Sequence, residues 1–156
     1  MPDDRAAILI IDGDSDTCEL LTLLLQMDDS DYEIIACLTI EEAREQLRAK
    51  HFDLILLDYW LSGRRGTELC REIRSAGQQI PILMYTAFVA NEAREEAMRS
   101  GVDLYLIKPN DLDRLPISVR ELLSGRPTYI PDSPCGEARS QIGRHSAFIS
   151  SILRKA

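Results

Sequence analysis

The chain has 156 residues, is 45% hydrophobic and 28% charged, and carries a formal net charge of −8. That length and mixture suit one soluble globular domain with a short appendage and exclude a disordered chain. No apolar run approaches the roughly 20 residues that span a bilayer. The acidic start Met-Pro-Asp-Asp-Arg lacks the basic region of a secretory signal, so a cytoplasmic location is expected.

Apolar runs alternate with helix-like stretches along the chain. Ala6-Ala7-Ile8-Leu9-Ile10-Ile11 reads as a buried strand ending at Asp12. Residues 16–27 then place Leu20, Leu21, Leu24 and Met27 at helical spacing. Residues 32–38 read as a second strand. Thr39 and Glu42 form a capping box that opens a helix with Ile40, Ala43 and Leu47 on one face. Asp53-Leu54-Ile55-Leu56-Leu57-Asp58 is a third strand. Gly63-Arg64-Arg65-Gly66 is a loop, and a helix with Leu69, Cys70 and Ile73 follows, stopping near Gly77. Residues 80–86 form a fourth strand, residues 90–100 a helix closed by Gly101, and residues 103–108 a fifth strand ended by Pro109. A last helix covers 111–124, where Pro116 is either a helix-start residue or a kink.

Five βα units with near-continuous apolar strands imply a parallel sheet buried on both faces. The expected fold is therefore α/β, a five-stranded parallel sheet wound doubly by helices. In such sheets function sits beyond the carboxyl ends of the strands. Those ends carry Asp12-Gly13-Asp14, Asp58, Thr86-Ala87 and Lys108-Pro109. Singly, each has a plain structural role. Asp12 and Asp14 could cap the first helix, and Asp58 could open a turn. Together they would place carboxylates, a hydroxyl and an ammonium on one rim.

Clustered carboxylates call for a cation, and oxygen ligands with retained waters suit Mg²⁺. A carboxylate can also attack phosphorus and become an aspartyl phosphate. Mg²⁺, Lys108 and the Thr86 hydroxyl would then each take one phosphoryl oxygen. No glycine-rich phosphate loop follows the first strand, and no G-x-S-x-G elbow is present. His51 and His145 lie away from every strand end, so a histidine-based catalytic set is not expected. Cys18, Cys37, Cys70 and Cys135 are far apart, form no Cys-x-x-Cys and read as reduced thiols.

These residues resemble the receiver domain of two-component response regulators. The resemblance rests on Ile8-Leu9-Ile10-Ile11-Asp12, on Phe52 through Asp58, and on Gly66 eight residues later. It continues through Pro81-Ile82-Leu83-Met84-Tyr85-Thr86-Ala87 and Gly101 through Pro109, and covers about residues 6–124. It implies a flavodoxin-like strand order 2-1-3-4-5. It further implies that a histidine kinase or phosphotransfer protein phosphorylates Asp58. Asp12, Asp58 and the Trp60 carbonyl would hold Mg²⁺. Thr86, Lys108 and the Ala87 backbone would read the phosphoryl group, and Tyr105 would turn inward as the switch aromatic. The fourth helix, fifth strand and fifth helix would form the output surface for a protein target or homodimer.

Two positions depart from the family pattern. Gly13 stands where a second metal-ligating acid is usual, which predicts weaker Mg²⁺ binding. Ser62 stands where proline is frequent, which predicts a looser loop after Asp58. Trp60 and Phe88 border the path of attacking water in the family, and both are bulky and apolar here. Slow autodephosphorylation is expected, with packing of Trp60 on the loop or a partner as the other reading.

Residues 1–124 carry a net −11 and residues 125–156 a net +3. The acidic body would repel nucleic acid phosphates, so no nucleic acid binding by this chain and no membrane contact is expected. Residues 1–124 read as the receiver, and residues 125–156 as a linker that ends either in a fraying tail or in a C-terminal helix with Ile142, His145, Ile149, Ile152 and Leu153 on one face. Residues 125–156 read as too short for an output domain. Three functions follow from these readings. The first is a phospho-acceptor signalling domain with no further enzymatic activity. The second is a receiver-like module that no longer uses phosphate. The third is a Mg²⁺-dependent aspartyl phosphatase, ranked low because Trp60 stands where that chemistry needs an acid.

Overall fold

The computed structural model describes residues 5–125. Five strands form one parallel sheet: β1 (Ala7–Ile11), β2 (Glu33–Cys37), β3 (Leu54–Leu57), β4 (Ile82–Thr86) and β5 (Leu104–Ile107). Their order is β2-β1-β3-β4-β5. Five α-helices connect or follow them: α1 (Ser15–Asp28), α2 (Ile40–Ala49), α3 (Gly66–Ser75), α4 (Asn91–Arg99) and α5 (Leu115–Leu123). The tail or C-terminal helix expected within 125–156 lies outside the described residues.

Alternate strand residues serve opposite faces of the sheet. Leu9, Ile11, Ile55, Leu57 and Met84 pack under α2, α3 and α4. Ile8, Ile10, Leu54, Leu56 and Leu83 pack under α1 and α5. Each such side chain stabilises by about 1.5–3 kcal/mol on burial. Both faces are covered, and this explains the unbroken apolar runs.

Several local expectations are met and some are corrected. The Thr39 hydroxyl accepts from the Glu42 N–H at 3.1 Å, and the Glu42 carboxylate accepts from the Leu38 N–H at 2.8 Å. Pro116 is the second residue of α5 and kinks nothing, because the N–H it lacks has no acceptor within the first turn of the helix; a short 3-10 turn at Leu112–Arg114 precedes it. The buried face of α1 is Cys18, Leu21 and Leu25, while Leu20 and Met27 face outward. Leucines surround that helix, so spacing alone does not select a face.

The loop after Asp58 is a tight ribbon, not a looser connection. Trp60–Leu61 pairs antiparallel with Arg64–Arg65. Ser62 and Gly63 turn the chain with φ of 47° and 86°, as a two-residue hairpin of the primed type requires. Proline is locked near −65° and could not occupy position 62.

Candidate functional site

The register of the sheet assembles the site. Ile11 pairs with Leu57, and the next residues on these adjacent strands are Asp12 and Asp58. The Asp58 N–H donates to the Ile11 carbonyl at 2.9 Å. Thr86 pairs with Ile107, and the Lys108 N–H donates to the Thr86 carbonyl at 2.8 Å. The reversal of strand order falls between β1 and β3, where doubly wound sheets open their ligand crevice.

Lys108 joins the two carboxylates. Its ammonium donates to Asp12 Oδ2 and, at 3.2 Å, to Asp58 Oδ2. Asp12 is 4% exposed and also accepts the Asp14 N–H at 2.9 Å. Burial raises the Asp12 carboxyl above its ordinary pKa, against the pull of Lys108. Burial pulls Lys108 down, but the Asp12 hydrogen bond and the charges of Asp58 and Asp12 carry it above its ordinary value. The lysine is therefore a fixed cation at the crevice. The Trp60 N–H points to Asp58 Oδ1 at 3.5 Å.

Thr86 is fully buried, and its hydroxyl accepts the Phe88 N–H at 3.4 Å. It touches neither Asp58 nor Lys108 with a side-chain hydrogen bond, so the structure groups Asp12, Asp58 and Lys108 and places Thr86 beside them. Ala87 is exposed at the same strand end. Tyr105 is turned inward, with its hydroxyl donating to the Phe88 carbonyl at 2.8 Å. Burial pushes its phenol up to about 12. The Arg94 guanidinium lies 5.1 Å from the centre of its ring. Trp60 and Phe88 are 46% and 43% exposed, with ring centres 6.3 Å apart.

Asp14 is committed elsewhere. It caps α1, accepting from the backbone N–H groups of Asp16 and Thr17 and from the Thr17 hydroxyl. Gly13 supplies no oxygen from a side chain, and a Cβ there would meet nothing closer than 3.9 Å. Among the described residues no group of three or more His, Cys, Asp or Glu converges as a metal cluster. The carboxylate oxygens that the structure places at the crevice are those of Asp12 and Asp58. Two carboxylates completed by water match the hard-ligand preference of Mg²⁺.

Sequence reasoning missed Glu96 of α4. Its carboxylate accepts from Tyr59 Oη at 2.8 Å, Thr67 Oγ1 at 3.0 Å, Arg65 at 2.9 Å and Arg71 at 3.0 Å. Burial would raise this acid, but the bonds from Tyr59, Arg71, Thr67 and Arg65 outweigh it and hold the carboxyl at about 2. Nothing in the acidic run Glu92, Glu95, Glu96 distinguishes it; the one sequence hint is that Tyr59 directly follows Asp58.

The fold and this rim define a doubly wound α/β domain with an acid–lysine site at its strand ends. The chain belongs to the response regulator receiver domain family, whose pattern it matches over residues 8–120. It is 34% identical over 137 residues to the transcriptional regulatory protein ZraR of Klebsiella oxytoca, covering 88% of this chain and 30% of that protein. It is 34% identical over 119 residues to the DNA-binding response regulator MtrA of Mycolicibacterium paratuberculosis, covering 76% of this chain and 52% of that protein. The chain thus spans about a third to a half of these relatives. A two-component response regulator from Clostridium difficile superposes with a TM-score of 0.71 at 35% identity, covering 77% of this chain and 97% of that one. Among the described residues no helix is long and apolar enough to cross a membrane.

Proposed function

We propose that this receiver domain accepts a phosphoryl group on Asp58 from a histidine kinase or phosphotransfer protein. The observation that carries the reading is the Lys108 ammonium shared by Asp12 and Asp58 in the β1/β3 crevice. An Asp58 oxygen bonds to phosphorus while the bond from phosphorus to the donor's imidazole nitrogen breaks. Lys108 neutralises charge gathering on the phosphoryl oxygens and moves no proton. The Thr86 hydroxyl and the Ala87 N–H are the remaining oxygen-binding groups at the rim. Asp12, Asp58 and the Trp60 carbonyl would hold Mg²⁺, which would supply further charge neutralisation when bound.

Thr86 drawn towards the phosphoryl group would hold Tyr105 in the inward position it occupies here, and this would report the modification to the surface of α4, β5 and α5. That surface would engage a downstream protein or a second copy. The domain is a regulator under this reading, and its acidic body leaves DNA contact to other segments or partners. A location in the cytoplasm follows from the kinase partner. The functional unit would extend to about residue 124.

Gly13, with Asp14 turned away into its helix cap, supports a second reading: a module that signals without phosphate. The two are separated by incubating the chain with a small phosphodonor and Mg²⁺ and measuring intact mass. An acid-labile adduct that is absent from Asp58→Asn supports the first reading. An unmodified wild-type chain supports the second.

A further inference from the structure

We propose that Glu96 is a positioning residue of the switch: it fastens α4 to the segment following Asp58 and so favours the inward arrangement of Tyr105. The proposal rests on Asp58 being the phosphoryl acceptor.

The contacts form a closed path. Glu96 takes the Tyr59 hydroxyl, and Tyr59 is the residue after Asp58. The Tyr59 ring lies 5.0 Å from that of Phe88, which is two residues beyond Thr86. The Phe88 carbonyl accepts the Tyr105 hydroxyl. Arg94, two residues before Glu96 on α4, covers the Tyr105 ring. One helix therefore grips the acceptor segment with Glu96 and the switch aromatic with Arg94. Arg65, Thr67 and Arg71 anchor the same carboxylate to the ribbon and α3.

A carboxylate with four donors, itself 18% exposed in its side chain, is a strong and directional tie. Moving α4 away from α3, the ribbon and Tyr59 breaks all four bonds at once. The tie is made here together with the inward Tyr105, so it stabilises that arrangement relative to any in which α4 is displaced. A ligand that selects the inward arrangement must then bind more weakly when the tie is lost.

The test uses the full chain with Mg²⁺ and beryllium fluoride, a phosphoryl mimic. Trp60, the single tryptophan, reports binding by fluorescence. Asp58→Asn should show no titration. Glu96→Ala should raise the midpoint about fivefold or more. Glu96→Gln, which still accepts hydrogen bonds, should fall between, and it is the deciding variant if Glu96→Ala does not fold. Leu25→Val, in the core on the opposite face of the sheet, is the control for stability and should leave the midpoint unchanged. Glu96 variants that titrate within about twofold of wild type, or a Leu25→Val shift as large as theirs, overturn the proposal while Asp58 remains the acceptor. A wild-type chain with no Asp58-dependent titration overturns the acceptor reading as well.

Discussion

Gly66→Ala tests the geometry behind Asp58. A Cβ at position 66 would lie 2.2 Å from the Asp58 carbonyl oxygen and 3.1 Å from Leu57 Cγ. An ordinary carbon–oxygen contact needs about 3.3 Å, so the backbone at the acceptor strand must yield by about 1 Å. Such overpacking costs about 1–3 kcal/mol. The shift also strains the Gly66 N–H bond to the Tyr59 carbonyl, 2.7 Å long, for about 1 kcal/mol more. Alanine returns up to about 1 kcal/mol through its helix propensity at the start of α3. The net loss is about 2 kcal/mol. Urea unfolding should show a lower midpoint at unchanged slope, and the displaced Asp58 should be modified more slowly by a small phosphodonor. Gly77→Ala gives the contrast: its site is open and only its φ of 78° resists, so the loss should be about 1 kcal/mol with modification unaffected. Gly66→Ala within about 0.5 kcal/mol of wild type would refute the close approach of α3 to the acceptor strand.

Other consequences can be checked alongside it. Glu96 is held at about 2, below its ordinary 4.5, so its contribution of up to about 3 kcal/mol is present above pH 4.5. It is lost as pH falls towards 2. Denaturation across pH 5 to 2 should show a steeper loss for wild type than for Glu96→Gln, and equal slopes would contradict the four-donor tie. Gly13→Asp places its Cβ without a clash and should tighten Mg²⁺ binding on the order of tenfold, read by Trp60 fluorescence; unchanged affinity would show that the second acid is not needed. Trp60 and Phe88 cover the rim with apolar surface, so the phosphorylated chain should lose its adduct over minutes or longer. Trp60→Asn or Phe88→Ala should shorten that lifetime, and lifetimes equal to wild type would remove the aromatics from water exclusion.

The fold was legible where one physical signal dominated. Five apolar runs gave five strands because burial on both faces leaves no other pattern. Thr39 with Glu42 announced α2 because capping is a local interaction. Where two signals agreed with the sequence equally, the chain was silent: α1 carries leucines on every side, and only packing against the sheet selects Cys18, Leu21 and Leu25. Ser62 suggested looseness, yet with Gly63 it makes the turn that closes the ribbon. The site followed the same rule. Asp12, Asp58 and Lys108 were legible because strand ends of a parallel sheet share one rim. Glu96 was not, because its partners come from the ribbon, α3 and the residue after Asp58. Only the tertiary fold brings those groups together.

Phosphorylation of this domain would place an acyl phosphate on one residue, and reductive trapping detects that bond. The full chain is incubated with acetyl phosphate and Mg²⁺, reduced with borohydride, digested and sequenced by mass spectrometry. An acyl phosphate on aspartate is reduced to homoserine, so homoserine should appear at position 58, dependent on phosphodonor and less abundant in Lys108→Ala. Homoserine at another aspartate, or an unmodified Asp58 in a folded chain under these conditions, would contradict it.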